Sequence, residues 1–281
     1  MRNRPNEAAI FLMSDVVRLE YRNVTMRFSE AGNRGALTAV QGVSFAVRDG
    51  EVVALIGPSG CGKSTLLNIG SGLTAPSEGM ALVDGERVAG PNAHVAFMLQ
   101  KDLLLPWRTV AENVMFGVEI QGVPAAERRN RAQALLANFH LAEFSGHYPH
   151  QLSGGMRQRV ALARTLAVDP HVLLLDEPFS AVDAQTRMVL QGDLAKTLKL
   201  AGKTALLITH DLAEAVTLAD RVLVMSRRPG TIVDEIAIAM PDRDNPLARR
   251  HDPKLGDYVA RLMDRLDIGH AALEQAAGAA P

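Results

Sequence analysis

The chain has 281 residues, 47% of them hydrophobic and 22% charged, with a net charge of −1. That is enough apolar material for a large core in one or two domains, and the even charge excludes acid-driven disorder and gives no global basicity for nucleic acid, although a local patch can still serve either. The single cysteine, Cys61, excludes an intramolecular disulfide and fits a reducing cytosol, and no apolar run approaches the length of a membrane span.

Residues 1–14 read as a flexible leader without a signal-peptide core. "VVRLEYRNVTMRF" and "LTAVQGVSFAV" alternate apolar and polar residues as half-buried strands do, with the polar loop "SEAGNRGA" between them. "EVVALIG" is a short continuous apolar run that suits a strand buried on both faces, and "KSTLLNIGSGL" follows as a helix. From about 101 to 168 the pattern turns helical, in "TVAENVMFGVEI", "PAAERRNRAQALLANFHL" and "SGGMRQRVALARTLAV", with Pro124 suited to a first turn. Three more apolar strands, "HVLLLD", "ALLIT" and "RVLVMS", alternate with helices after it. Strands separated by helices imply a mostly parallel α/β sheet with helical faces. Residues 243–281 form a charged, then alanine-rich tail in which "DPKLGDYVARLMDRLDI" reads as a helix and "AALEQAAGAAP" as a frayed end.

Two motifs carry chemistry directly. "GPSGCGKS", from Gly57 through Pro58, Ser59, Gly60, Cys61, Gly62 and Lys63 to Ser64, has the G-x-x-x-x-G-K-[ST] spacing of a phosphate loop. Its backbone N–H groups must turn inward around phosphate oxygens, which requires glycine where side chains would block approach, and it opens a helix whose N-terminus favours an anion. Lys63 supplies a point charge to the β- and γ-phosphates, Ser64 a hydroxyl for Mg²⁺, and Thr65 a further phosphate contact. "HVLLLDEPFS" places Asp176 and Glu177 at the carboxyl end of an apolar strand, where parallel sheets bind ligands. Asp176 is placed to hold Mg²⁺, and Glu177 to orient or deprotonate an attacking water. A solvated Asp-Glu turn is the plain alternative, and the phosphate loop argues against it.

A second glycine turn, "LSGGMRQR", opens a helix about ninety residues downstream of the first. Taken with "GPSGCGKS", "LLLDEPFSAVD" and "LLITHD", in that order, it makes residues 15–235 resemble the nucleotide-binding subunits of ABC transporters. The softer motifs "LLPWRTVAENV" and "SRRPGTIV" look like the branch that energises uptake of nitrate, sulfonates or taurine. The resemblance implies a P-loop NTPase core with a RecA-like, mostly parallel sheet, an N-terminal antiparallel β subdomain and an inserted helical subdomain, together spanning 15–242. It implies two subunits facing each other head to tail with ATP and Mg²⁺ between them. Ser153, Gly154 and Gly155 of one copy would then act on the γ-phosphate held by the other.

By the same resemblance Gln100 is the glutamine that approaches Mg²⁺, His210 a switch histidine on the γ-phosphate, and Asp183 an aspartate at the dimer interface. Phe28 stands where an aromatic ring stacks on adenine, with Tyr21 as a competing ring. Trp107 reads equally as core of the helical insert or as a contact for a membrane helix. Met156 replaces the glutamine usual after "LSGG". Arg157 and Arg159 read by default as solvated. The implied activity is ATP hydrolysis driving uptake of a small solute through separate integral membrane permease subunits, fed by a solute-binding protein, with this chain peripheral on the cytoplasmic face of the inner membrane. An exporter with separate subunits, or a non-transport ATPase of the same family, are the alternatives; long coiled-coil inserts and tandem modules, usual in the latter, are absent from the sequence. If the signature turn completes the site of a second copy, Ser153→Arg leaves ATP binding to the monomer intact and abolishes ATP-dependent dimerisation and hydrolysis. Light scattering and phosphate release check this, and dimerisation that survives the substitution contradicts it.

Overall fold

A computed structural model describes residues 16–29, 36–180 and 182–266. The proposed leader, part of the 29–36 loop and the alanine-rich end lie outside the described residues. Strands β1 (Val17–Ser29) and β2 (Ala36–Arg48) pair antiparallel, as their alternation predicts. β3 (Val52–Ile56) feeds α1 (Lys63–Gly70). Then come β4 (Glu78–Val83), the two-residue β5 (Glu86–Arg87) and β6 (Val95–Met98). The helical section holds α2 (Val110–Ile120), α3 (Ala125–Asn138) and α4 (Gly154–Ala167). It is followed by β7 (Val172–Asp176), α5 (Ala184–Leu200), β8 (Thr204–Ile208), α6 (Leu212–Leu218), β9 (Arg221–Met225) and β10 (Ile232–Ala237). Two helices, α7 (Pro246–Arg250) and α8 (Lys254–Arg265), end the described chain.

The strands form two sheets, an antiparallel one in the order β2-β1-β4-β5 and a six-stranded one in the order β10-β9-β3-β8-β7-β6. Within the second, only β10 runs antiparallel. β3 is buried at every position, and its residues alternate between two cores as a period of two demands. Val52, Ala54 and Ile56 face the helices, whereas Val53 and Leu55 face α1 and the antiparallel sheet. The sequence reading placed no strand at β4, β5 or β10. β5 has two residues, and β10 is a sheet edge with only Ile236 fully buried, so neither carries a strong pattern.

The segment after β10 is bound to the core by several side chains, and Arg249 makes a large share of the hydrogen bonds. Arg249, 2% exposed, donates to five carbonyls: Pro241, Met240, Ala219, Val216 and Thr217, at 2.7 to 3.4 Å. Three of these lie at the C-terminal end of α6, where unpaired carbonyls and the helix dipole favour a cation. α8 adds Leu262 to the main core and the Tyr258 hydroxyl as acceptor for Ala239 N. We expect Arg249→Ala to cost about 3 kcal/mol or more, because it leaves several buried carbonyls without donors. Urea unfolding checks this; a cost below about 1 kcal/mol would show that water replaces the guanidinium.

Candidate nucleotide site

The phosphate loop leaves β3 and must reverse before α1. Gly60 (φ 75°) and Gly62 (φ 104°) make that reversal in a backbone region L side chains rarely enter. A Cβ at Gly62 would collide with Val40 Cγ1 and lie 3.0 Å from Ala39 O. Lys63 Nζ donates to Gly57 O at 2.7 Å and Pro58 O at 3.0 Å, which holds the ammonium over the concave side of the loop. The Cys61 side chain is buried in the second core, consistent with a space-filling role for its side chain.

The loop forms one wall of a cleft of about 340 Å³ that also includes Phe28, Leu37, Gln100, Asp176, Glu177 and Arg228. Phe28, at the end of β1, keeps an exposed ring, while Tyr21 is buried, stacks on Phe45 with centroids 4.6 Å apart, and donates its hydroxyl to Leu66 O. Of the two competing rings, only Phe28 faces the cleft. Arg228 was not singled out from the sequence, although it lies within "SRRPGTIV". Its Nε and Nη2 donate to Gly60 O at 3.0 and 2.7 Å, so a guanidinium braces the loop from outside and lines the cleft.

At the far wall, β7 ends in Asp176. Burial raises its pKa, a hydrogen bond with Ser64 lowers it, the neighbouring Glu177 raises it again and Lys63 lowers it, leaving it above the ordinary carboxylate value. A buried carboxylate beside a serine hydroxyl is an oxygen donor pair suited to a hard divalent cation, whose charge would favour the ionised form. Glu177 adopts φ 46°, an uncommon conformation for a non-glycine residue, held by Glu177 N donating to Ile208 O and by Ser180 N donating to Glu177 O. This turn brings three loops together: Gln100 Nε2 donates to Glu177 Oε2 at 3.0 Å, and His210 Nδ1 lies 3.4 Å from the same oxygen.

The signature turn is elsewhere. Ser153 is the N-cap of α4, its hydroxyl accepting from Met156 N at 3.3 Å, and Asp183 caps α5 by accepting from Thr186 N at 3.0 Å. A Cβ at Gly155 would lie 3.2 Å from Val182 and 3.5 Å from Thr186, so the two helix N-termini open side by side. Ser153, Gly154 and Gly155 do not line the cleft that holds Lys63. Met156 packs partly buried against the main core, which explains why an apolar side chain is tolerated there. Arg157 is not a freely solvated side chain: its Nε donates to Asp102 at 2.9 Å and its Nη1 to Leu152 O. With Gln158 donating to Gln100 O, and Arg164 donating to Leu103 O and Asp102 O, α4 is fastened to the segment after Gln100.

The model of the ABC transporter family matches residues 40–180, half of the chain, and includes the phosphate loop, Gln100, the signature turn, Asp176 and Glu177. The chain belongs to the ABC transporter family. As a cassette of this family it binds ATP. An uncharacterised ABC transporter ATP-binding protein of Methanocaldococcus jannaschii is 47% identical over 79% of this chain and 82% of its own. The taurine import ATP-binding protein TauB of Burkholderia pseudomallei is 50% identical over 84% of this chain and 92% of its own. A dimeric structure of a post-hydrolysis state of the ATP-binding cassette MJ0796, bound to ADP and Pi, aligns with TM-score 0.71 and 31% identity, covering 79% of this chain and 99% of that one.

The glycine geometry of the cassette yields a direct check. Gly62→Ala places a Cβ against Val40 in a left-handed conformation that costs ~1–3 kcal/mol, so ATP affinity falls on the order of 10- to 100-fold. Calorimetric titration with ATP reads this out, and unchanged affinity would mean that the loop does not need this conformation to bind.

Proposed function

We propose that this chain is the ATP-hydrolysing subunit of an importer for a small sulfonate-type solute of the taurine class, working as a head-to-tail pair beneath separate permease subunits on the cytoplasmic face of the inner membrane. The observation that carries the reading is the convergence of Gln100 and His210 on Glu177, which lines the same cleft as Lys63. The separation of Ser153, Gly154 and Gly155 from that cleft supports completion of each site by a second copy. TauB relatives, 44–50% identical over at least 73% of this chain, support import and the solute class. Among the described residues no helix is long and apolar enough to cross a membrane, so the pathway would belong to partner subunits.

ATP would seat its adenine on Phe28 and its phosphates on the backbone from Gly57 to Thr65. Ser64, Asp176 and Gln100 would hold Mg²⁺, which supplies charge to offset that of the β- and γ-phosphates. Glu177 orients water and takes its proton, and Lys63 and His210 stabilise charge developing on the γ-phosphate. Ser153 and the N–H groups of Gly154 and Gly155 of the second copy add an N-terminal helix dipole from the opposite side. Asp183 would lie at the same interface. Because Gln100 touches Glu177 and its carbonyl accepts from Gln158, the state of the site reaches the "KDLLLPWRTV" segment directly.

That segment presents the partner contact. Asn113, fully buried, accepts from Leu105 N and donates to the carbonyls of Leu105, Arg108 and Thr109 at 2.8 to 3.1 Å. The loop is fixed, and Trp107 at its tip is 71% exposed. This removes the core-packing reading of Trp107 and favours contact with a permease helix. We expect Glu177→Gln to keep ATP binding, to form an ATP-stabilised dimer, and to hydrolyse on the order of 10²–10⁴ more slowly, as for loss of a general base. Single-turnover kinetics and gel filtration check both, and a fully active variant contradicts the assigned role.

A further inference from the structure

On the opposite end of the sheet, three side chains from three segments meet at one point. β6 and β7 pair in parallel with Val95 opposite Val172. One residue earlier on each strand, His171 N and Val172 N both donate to His94 O, at 2.9 and 3.0 Å. That register sets the two imidazoles side by side, with centroids 4.5 Å apart. Asp84 arrives from the antiparallel sheet, in the β4–β5 turn, with φ 51°. Its Oδ2 lies 2.7 Å from Nδ1 of both His94 and His171. Its Oδ1 accepts from Arg18 Nη1 at 2.8 Å, and Arg18 Nε donates to Asp49 at 2.7 Å. Burial alone would raise the Asp84 pKa, but Arg18, His171 and His94 hold it well below the usual carboxylate range.

Two imidazole nitrogens and one carboxylate oxygen, all within 4.8 Å of one another, make a donor set for a borderline divalent ion. Around a tetrahedral ion with ligand distances near 2.0–2.1 Å, donors sit roughly 3.3 Å apart. The two 2.7 Å contacts would therefore open by about 0.6 Å, a displacement available to rings that are 54% and 44% exposed. Their exposure also leaves positions for water on the ion. Arg18 opposes a cation here, and Asp49, bound to the same guanidinium, offsets it.

We propose that Asp84, His94 and His171 form a binding site for a divalent transition-metal ion of the Zn²⁺ type, tying the antiparallel sheet to the β6–β7 edge of the nucleotide-binding core. The site is separate from the catalytic cleft. β7 runs from beside His171 to Asp176, about 16 Å at 3.3 Å per residue. None of the three residues lines that cleft.

The test is Zn²⁺ titration of the full chain, stripped with chelator, without nucleotide or Mg²⁺, followed by calorimetry. The wild type is expected to bind one more equivalent than the His94→Ala/His171→Ala double variant, and each single variant to weaken that equivalent at least tenfold. His210→Ala is expected to retain it, which separates the site from any Zn²⁺ taken by the nucleotide cleft. Zn²⁺ is expected to raise the unfolding temperature of the wild type, reversibly with chelator, but not that of the double variant. Unchanged ATP binding confirms that the double variant is folded. The same Zn²⁺ stoichiometry and affinity in wild type and double variant overturns the proposal, as does a wild type that takes up no Zn²⁺ and shows no shift. In either case the three residues are an ion-pair cluster holding the two sheets together.

Discussion

The backbone from Gly57 to Gly62 closes into its turn because the residues packed around it leave little other room. Val40 and Ala39 of β2 stand where a Cβ of Gly62 would be, Met225 of β9 stands 2.9 Å from a Cβ of Gly57, and a Cβ of Gly230 would meet Cys61 O. Arg228 then fixes Gly60 O from outside, and Lys63 fixes the carbonyls of Gly57 and Pro58 from within. Both sheets are needed for this confinement. The antiparallel sheet therefore shapes the Gly57–Gly62 turn as well as bearing Phe28.

The opposite wall depends on a different constraint. The ends of β7 and β8 must deliver Asp176, Glu177 and His210 together, and the paired register, with Asp176 opposite Ile208, does so. Glu177 pays in backbone strain for reaching both Gln100 and His210. From Gln100 the contacts run through Gln158, Arg157 and Arg164 into α4, whose first turn is the signature. One helix thus carries the signature turn at its N-terminus and holds the segment after Gln100 along its side.

Much of this was legible in the sequence because it rests on backbone demands. Glycine at 57, 60 and 62 is dictated by a turn that side chains would block, and the apolar runs of β3, β7, β8 and β9 are dictated by burial on both faces. The choice between Tyr21 and Phe28 was not legible, since strand periodicity is interrupted by register shifts in β1 and only packing on Phe45 removes Tyr21. Arg228, Arg157 and Arg249 were hidden for a related reason. An arginine that braces a loop, pairs with Asp102 or caps a helix from thirty residues away has the same local signature as one that faces solvent. His171 is far in sequence from Asp84 and His94, and the three meet only through the pairing of β6 with β7 and the fold of the β4–β5 turn.

The anchoring of the Trp107 loop by Asn113 bears on the entropy of assembly. A large exposed indole on a mobile loop would have to surrender backbone freedom each time a partner docked, and that loss would be subtracted from the binding free energy. Here folding has already fixed the main chain on both sides of the ring through four hydrogen bonds to one buried amide. If the proposed permease contact forms, only the two torsions of the side chain are left to order, so little of the area buried by the indole would be offset by lost chain freedom.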